Sequence, residues 1–235
     1  MTQFSVDPFE FFMFDLDGTL VDSVPGLFAA IQGMLSALDL PKVTSEQVDQ
    51  WVGNGADSLI RRALAGHMDG DQFGQISNAL FQQAKAAFIE AYHRHLLDGV
   101  QLYPGVLKAL RQFRQLQKPM AVVTNKPRQF TQPLLQQLQL EPFFDVVLSG
   151  DSLPTKKPSP EPLYAVADRF DCQITAGLMV GDSVNDVQAA RNAECAIVAV
   201  NYGYNHGQPI AKSCPDFVVS YLCELFLPSS ALEQA

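Results

Sequence analysis

Residues 11–23 read Phe-Phe-Met-Phe-Asp-Leu-Asp-Gly-Thr-Leu-Val-Asp-Ser, and this stretch restricts the fold more than any other. Four apolar residues in a row, Phe11 to Phe14, suit a strand buried on both faces, as in a parallel sheet covered by helices. The run stops at Asp15. A second carboxylate, Asp17, follows at i+2, then Gly18 and Thr19. Side chains two apart in an extended chain share a face. Asp15 and Asp17 are therefore expected together at the carboxyl end of a central strand, where open α/β sheets bind ligands. Two carboxylates this close repel unless a cation or a proton lies between them. Taken alone, the same letters also fit an Asp-Gly turn with both carboxylates in water.

The rest of the chain repeats the pattern. Short apolar runs at 120–123, 146–148, 177–180 and 196–200 alternate with helical stretches expected near 105–116, 127–138, 160–169 and up to Asn192. A short strand near 217–219, a helix near 220–226 and a frayed tail from 229 complete the chain. Strand–helix alternation with apolar strands means a parallel sheet covered on both faces. Between Pro25 and Leu97 the periodicity is helical throughout: near 25–38, after Thr44 to about Trp51, near 56–65, and from Asp71 to about Leu97. Thr44 and Gln47 stand at capping-box spacing. This block, 22–98, reads as a helical insertion in an α/β core made of 1–21 and 99–235.

Polar residues gather where the strands end: Asp15 and Asp17, Thr124 and Asn125, Asp182 and Asp186, with Lys157 in a loop after another strand. A nucleophile candidate, a hydroxyl, a cation and four carboxylates at one sheet edge form the set that phosphoryl transfer needs. Phosphate and attacking carboxylate are both negative, so a hard divalent cation such as Mg²⁺ belongs between them. Asp15 and Asp182 are its natural ligands, and Asp186 returns to the same side after one helical turn. Lys157 can neutralise charge, Thr124 can donate to a phosphate oxygen, and Asp17 can serve as acid and then as base.

Composition narrows the partners. The chain of 235 residues is 47% hydrophobic and carries a net charge of −9. It will not hold a nucleic-acid backbone by general electrostatics, so an anionic substrate must meet local cations or a metal. Its apolar runs fall short of the ~20 residues of a membrane helix, and residues 1–10 lack a basic segment and an apolar export core. Cys172, Cys195, Cys214 and Cys223 show no CxxC pairing. They read as reduced thiols of a cytoplasmic protein rather than metal ligands.

Asp15-x-Asp17-Gly18-Thr19, then Thr124 after an apolar strand, then Lys157-Pro158-x-Pro160, then Gly181-Asp182-Ser183-x-Asn185-Asp186 follow one another in a fixed order. The series resembles the haloacid dehalogenase superfamily over nearly the whole chain. The resemblance implies a Rossmann-like parallel-sheet core with an inserted α-helical cap domain. It also implies roles. Asp15 is nucleophile and metal ligand. Asp17 is acid/base, with its carbonyl on the metal. Thr124 binds phosphate, Lys157 is the motif lysine, Asp182 binds the metal, and Asp186 lies in or just outside the metal shell. Dehalogenases of the superfamily lack the second Asp, so Asp17 favours phosphate esters, by hydrolysis or by mutase chemistry. Within the phosphatases, Trp51-Val52-Gly53-Asn54-Gly55-Ala56, Lys156-Lys157-Pro158 and Asn201-Tyr202-Gly203-Tyr204-Asn205 resemble the phosphoglycolate phosphatases. That implies Mg²⁺-dependent hydrolysis of 2-phosphoglycolate to glycolate and phosphate. A sugar-phosphate phosphatase or phosphomutase is the alternative.

Substrate choice is expected in the helical insertion. Gly53-Asn54-Gly55 can bring backbone close to a ligand, or be an ordinary interhelix turn. Arg61 and Arg62 point about 100° apart on a helix, so at most one faces the site. Arg62 is the candidate for the substrate carboxylate, against a solvated helix face. Asn125 stands beside Thr124, within reach of phosphate. His67, His93, His95 and His206 have no carboxylate or His partner at motif spacing and read as surface or structural.

Overall fold

The computed structural model describes residues 4–68 and 75–226. Among the described residues eight strands are formed: β1 (Phe11–Phe14), β2 (Val21–Asp22), β3 (Gln101–Leu102), β4 (Met120–Val123), β5 (Val146–Leu148), β6 (Gly177–Gly181), β7 (Ala196–Val200) and β8 (Phe217–Val219). Six of them make one sheet in the order β5-β4-β1-β6-β7-β8, with every neighbouring pair parallel. The helices of this part are α5 (Val106–Gln115), α6 (Arg128–Gln137), α7 (Glu161–Phe170) and α8 (Val184–Asn192).

The continuous apolar run of β1 has a direct cause in this layering. Phe12 and Phe14 enter one core with Leu110 and Phe113 of α5 and Leu134 of α6. Phe11 and Met13 enter the opposite core with Leu163 and Val166 of α7 and Val187 and Ala190 of α8. Both faces are covered, so no position of the strand can be polar, and all four side chains are fully buried. Each contributes about 1.5–3 kcal/mol by leaving water.

Between β2 and β3 the chain forms α1 (Val24–Ala37), α2 (Ser45–Trp51), α3 (Ala56–Ala65) and α4 (Asn78–His95). These helices share a third apolar core around Ile31, Met34, Trp51, Ile60 and Phe88, which Phe130 of α6 and Tyr204 join from the sheet side. The capping box is formed: the Thr44 hydroxyl accepts from Gln47 N at 3.2 Å, and Thr44 N donates to Gln47 Oε1 at 2.8 Å.

One expectation is corrected, two lie outside the described residues, and one element was not foreseen. The start of the long helix at Asp71 lies outside the described residues; within them α4 begins at Asn78, where the Ser77 hydroxyl accepts from Leu80 N at 3.2 Å. The helix expected near 220–226 is a short 3₁₀ turn, Leu222–Phe226. The two-residue ribbon of β2 and β3, pairing Val21 with Leu102 and Asp22 with Gln101, was not foreseen. It is too short to show a period and it closes the base of the helical block. The expected tail from 229 lies outside the described residues. No described helix is long and apolar enough to cross a membrane.

Candidate active site

Strand register brings three polar strand ends together. Phe14 pairs with Val122 on β4 and with Val180 on β6. One step on, the chain leaves the sheet at Asp15, flanked by the ends that carry Thr124 and Asp182. This is the point at which strand order runs outward both ways from β1, the usual crevice of open α/β sheets. Asp15 N donates to Val180 O at 2.9 Å. Asp15 Oδ1 accepts from Leu16 N at 2.7 Å and lies 3.0 Å from Lys157 Nζ. Lys157 Nζ also lies 2.6 Å from Asp186 Oδ1. Burial alone would discharge this lysine; Asp15 and Asp186 hold its ammonium above the ordinary lysine range. The second oxygen of Asp186 accepts from Ser183 Oγ at 2.7 Å, Ser183 N at 3.0 Å and Asp182 N at 3.2 Å. Asp186 thus positions both the lysine and the first turn of α8.

Asp182 is held from two sides. Thr19 Oγ1 donates to its Oδ1 and Tyr204 N to its Oδ2, both at 2.7 Å. Gly18 permits this approach: its φ is +88°, and a Cβ there would stand 2.2 Å from Asp182 Oδ2. Oxygens of Asp15, Asp182 and Asp186 lie within 4.8 Å of one another, and all three residues are buried. Burial pushes the Asp15 carboxyl up to about 7, with Lys157 pulling against it and Asp186 adding to it. Asp182 is raised well above the carboxylate range by burial, then by Asp186 and Asp15. Three buried carboxyl groups against one ammonium resist ionising together without a further cation, and their donors are hard oxygens. That set fits a divalent cation of the Mg²⁺ type.

The opposite side of Asp15 carries a second lysine. Lys126 Nζ lies 3.1 and 3.3 Å from the two oxygens of Asp17 and bonds the hydroxyl of Tyr92 from α4. Burial would discharge Lys126 too; Asp17 and Tyr92 keep it charged. Thr124 is buried beside it, and its hydroxyl accepts from Lys126 N at 3.2 Å. Asp15, Asp17, Thr124 and Lys126 form the polar floor of a cavity whose roof comes from the helical block: Val52, Gly53, Leu59, Phe88 and Tyr92.

The family model of haloacid dehalogenase-like hydrolases matches residues 12–200 of this chain. The chain belongs to the haloacid dehalogenase-like hydrolase family. Among its relatives, the phosphoglycolate phosphatase of Pseudomonas putida is 47% identical over 93% of this chain and 79% of its own length. That of Photobacterium profundum is 44% identical over 92% of this chain and 93% of its own. A crystal structure of a predicted phosphoglycolate phosphatase from Haemophilus somnus superposes with a TM-score of 0.87 at 37% identity, covering 93% of this chain and 97% of that one. These relatives place this haloacid dehalogenase-like hydrolase among the phosphoric monoester hydrolases.

Set in this hydrolase, the expected site residues fall into two groups. Asp15, Asp17, Thr124, Lys157, Asp182 and Asp186 converge at the strand ends as their spacing suggested. Asn125 is a strut: its Nδ2 donates to Lys157 O at 2.9 Å and to Gly53 O at 3.0 Å. The turn Gly53–Gly55 is seated on the core, with Lys156 Nζ donating to Asn54 O at 2.7 Å and Asn54 Nδ2 to Asn185 Oδ1 at 3.1 Å. Arg62 lies behind that turn. Its guanidinium donates to Trp51 O at 2.6 Å and Asn54 Oδ1 at 2.9 Å, so it braces the turn instead of facing the cavity. Two of the histidines bond at the periphery: His95 pairs with Asp98 at 2.7 Å, and His206 Nδ1 meets Gln50 O at 2.8 Å. Sequence reasoning missed Lys126 and Tyr92. Lys126 follows Thr124 by two residues, and that proximity was the available signal. Tyr92 sat on the apolar stripe of a helix, where nothing marks a hydroxyl as functional.

Proposed function

We propose that this hydrolase cleaves 2-phosphoglycolate to glycolate and phosphate through an aspartyl-phosphate on Asp15. The observation that carries the reading is a second carboxylate, Asp17, lining the same cavity as Asp15, whose own oxygen is paired with the buried Lys157. One group can then attack phosphorus while another handles protons. The names and high identity of the relatives supply the substrate.

An oxygen of Asp15 attacks phosphorus as the ester P–O bond breaks, and Asp17 gives its proton to the departing glycolate oxygen. Asp17 then removes a proton from water. The water oxygen attacks phosphorus, and the bond to Asp15 breaks, releasing phosphate and restoring the carboxylate. Lys157 and the Thr124 hydroxyl offset charge on the phosphoryl oxygens. Mg²⁺, held by Asp15, Asp182 and the Asp17 carbonyl with Asp186 just behind, would supply the positive charge that lets two anions meet. Residues 22–98 act as a cap over the core of 1–21 and 99–235, keeping bulk water out during attack. The setting is cytoplasmic, and the partner is a small phosphate ester.

Asp15→Asn keeps the shape and removes the attacking charge. Phosphate release from 2-phosphoglycolate with Mg²⁺ should fall by about 10³-fold or more. Turnover within tenfold of the original enzyme would contradict the covalent route. With the original enzyme, glycolate and phosphate should appear one for one; a rearranged phosphate ester without free phosphate would indicate a mutase.

A further inference from the structure

Lys126 has no place in the chemistry described above, yet it is a buried ammonium on the floor of the reacting cavity. We propose that Lys126, together with the Tyr92 hydroxyl, recognises the second anionic group of the substrate, the carboxylate that lies next to the phosphate ester. This deepens the reading of 2-phosphoglycolate as substrate and rests on it.

Charge decides the assignment. The phosphoryl group has its own cations, Lys157 and the proposed metal. A carboxylate at the other end of so short a molecule enters a cavity whose roof is Val52, Leu59, Phe88 and the Tyr92 ring. An ionised group cannot rest against such a wall without a partner. Among the described residues lining this cavity, Lys126 is the one that carries positive charge. The other cations nearby are committed elsewhere. Lys157 is held between Asp15 and Asp186, Arg62 braces Trp51 and Asn54, and Lys156 is bonded to the carbonyl of Asn54.

The partner that Lys126 now holds gives the pairing a further consequence. It is a carboxylate, Asp17. A substrate carboxylate has the same charge and the same acceptor geometry, so it can take over as counter-ion. The exchange releases Asp17 to turn to the ester oxygen it must protonate. A neutral tail cannot make this exchange. Lys126 thereby links recognition of the carboxylate to readiness of the acid. Tyr92 comes from α4, so the pocket is complete only where the helical block sits on the core.

The test compares 2-phosphoglycolate with ethyl phosphate, which has a methyl group in place of the carboxylate, for the original enzyme, Lys126→Met and Tyr92→Phe. The original enzyme should prefer 2-phosphoglycolate by about 10²-fold or more in kcat/KM. In Lys126→Met that ratio should fall to within about threefold, by loss on 2-phosphoglycolate and with a raised KM. Tyr92→Phe should lower the ratio by about three- to tenfold, the scale of one ordinary net hydrogen bond. An equal loss on both esters in Lys126→Met would show that the lysine only positions Asp17, and would overturn the inference while leaving the substrate reading intact. If Lys126→Met does not fold, an unchanged ratio in Tyr92→Phe overturns it. An original enzyme without preference for the carboxylate would remove the substrate reading and this inference together.

Discussion

At the scale of single residues, the site is governed by charge that burial makes expensive. Asp15 sits near a pKa of 7 because burial disfavours its ionised form more than Lys157 favours it. In the metal-free fold it therefore keeps a proton that the unfolded chain, with an ordinary carboxyl near 3.8, has already lost. The sign follows from linkage: this contribution to stability is full below about pH 4 and is lost as pH rises through about 7. A divalent cation competes with that proton. Mg²⁺ should then raise Tm more at pH 8 than at pH 6, by roughly 2–5 °C, since a tenfold weaker affinity costs about 1.4 kcal/mol. Melting curves with Mg²⁺ and with chelator at both pH values measure this; an equal rise at both would contradict a metal seated on Asp15. Legibility at this scale divides along a physical line. Asp15, Thr124 and Asp182 were visible because each ends an apolar run, and a strand end is a local property. The roles of Lys126 and Arg62 were not. The partners that define them, Asp17 with Tyr92 and the carbonyl of Trp51, are brought to them only by tertiary folding.

At the scale of elements, the sheet was legible and the connections between parts were not. An apolar run such as Met120–Val123 can only be a buried strand of this length once helices flank it, and β4 forms there. The ribbon of β2 and β3 has two residues on each side and leaves no periodic trace. The turn Gly53–Gly55 was visible as a turn but not as a seat. Its role depends on Asn125 and Lys156, more than seventy positions away in sequence, which hold its carbonyls. Gly55 carries the strictest demand there. Its φ is +85°, and a Cβ would stand 2.8 Å from Lys156 Nζ and 3.0 Å from Asn125 O. Gly55→Ala combines backbone strain of about 1–3 kcal/mol with displacement of the lysine. It should lower Tm by roughly 2–12 °C and kcat/KM by about tenfold or more, while the Asp15–Lys157 pair stays intact. Thermal melts and steady-state kinetics on the purified variant check this, and kinetics identical to the original enzyme would mean the turn is not part of the substrate roof.

At the scale of the whole molecule, two apolar cores on either side of one sheet fix the strand ends, and a third core carries a roof to them. The chain's net charge of −9 makes this arrangement necessary. An acidic protein cannot draw in a small anion by its general field, so the cations must be concentrated and buried, as Lys126 and Lys157 are. The central claim is that this cavity hydrolyses a phosphate ester bearing a carboxylate with the help of a divalent metal. The most direct test is kcat/KM for 2-phosphoglycolate beside a panel of sugar phosphates, nucleotides and pyrophosphate, with Mg²⁺ and with chelator. The expected result is a preference of about 10²-fold or more for 2-phosphoglycolate, about 2.7 kcal/mol in transition-state binding, and its collapse in chelator. A flat profile across the panel, or turnover that survives chelation, would contradict it.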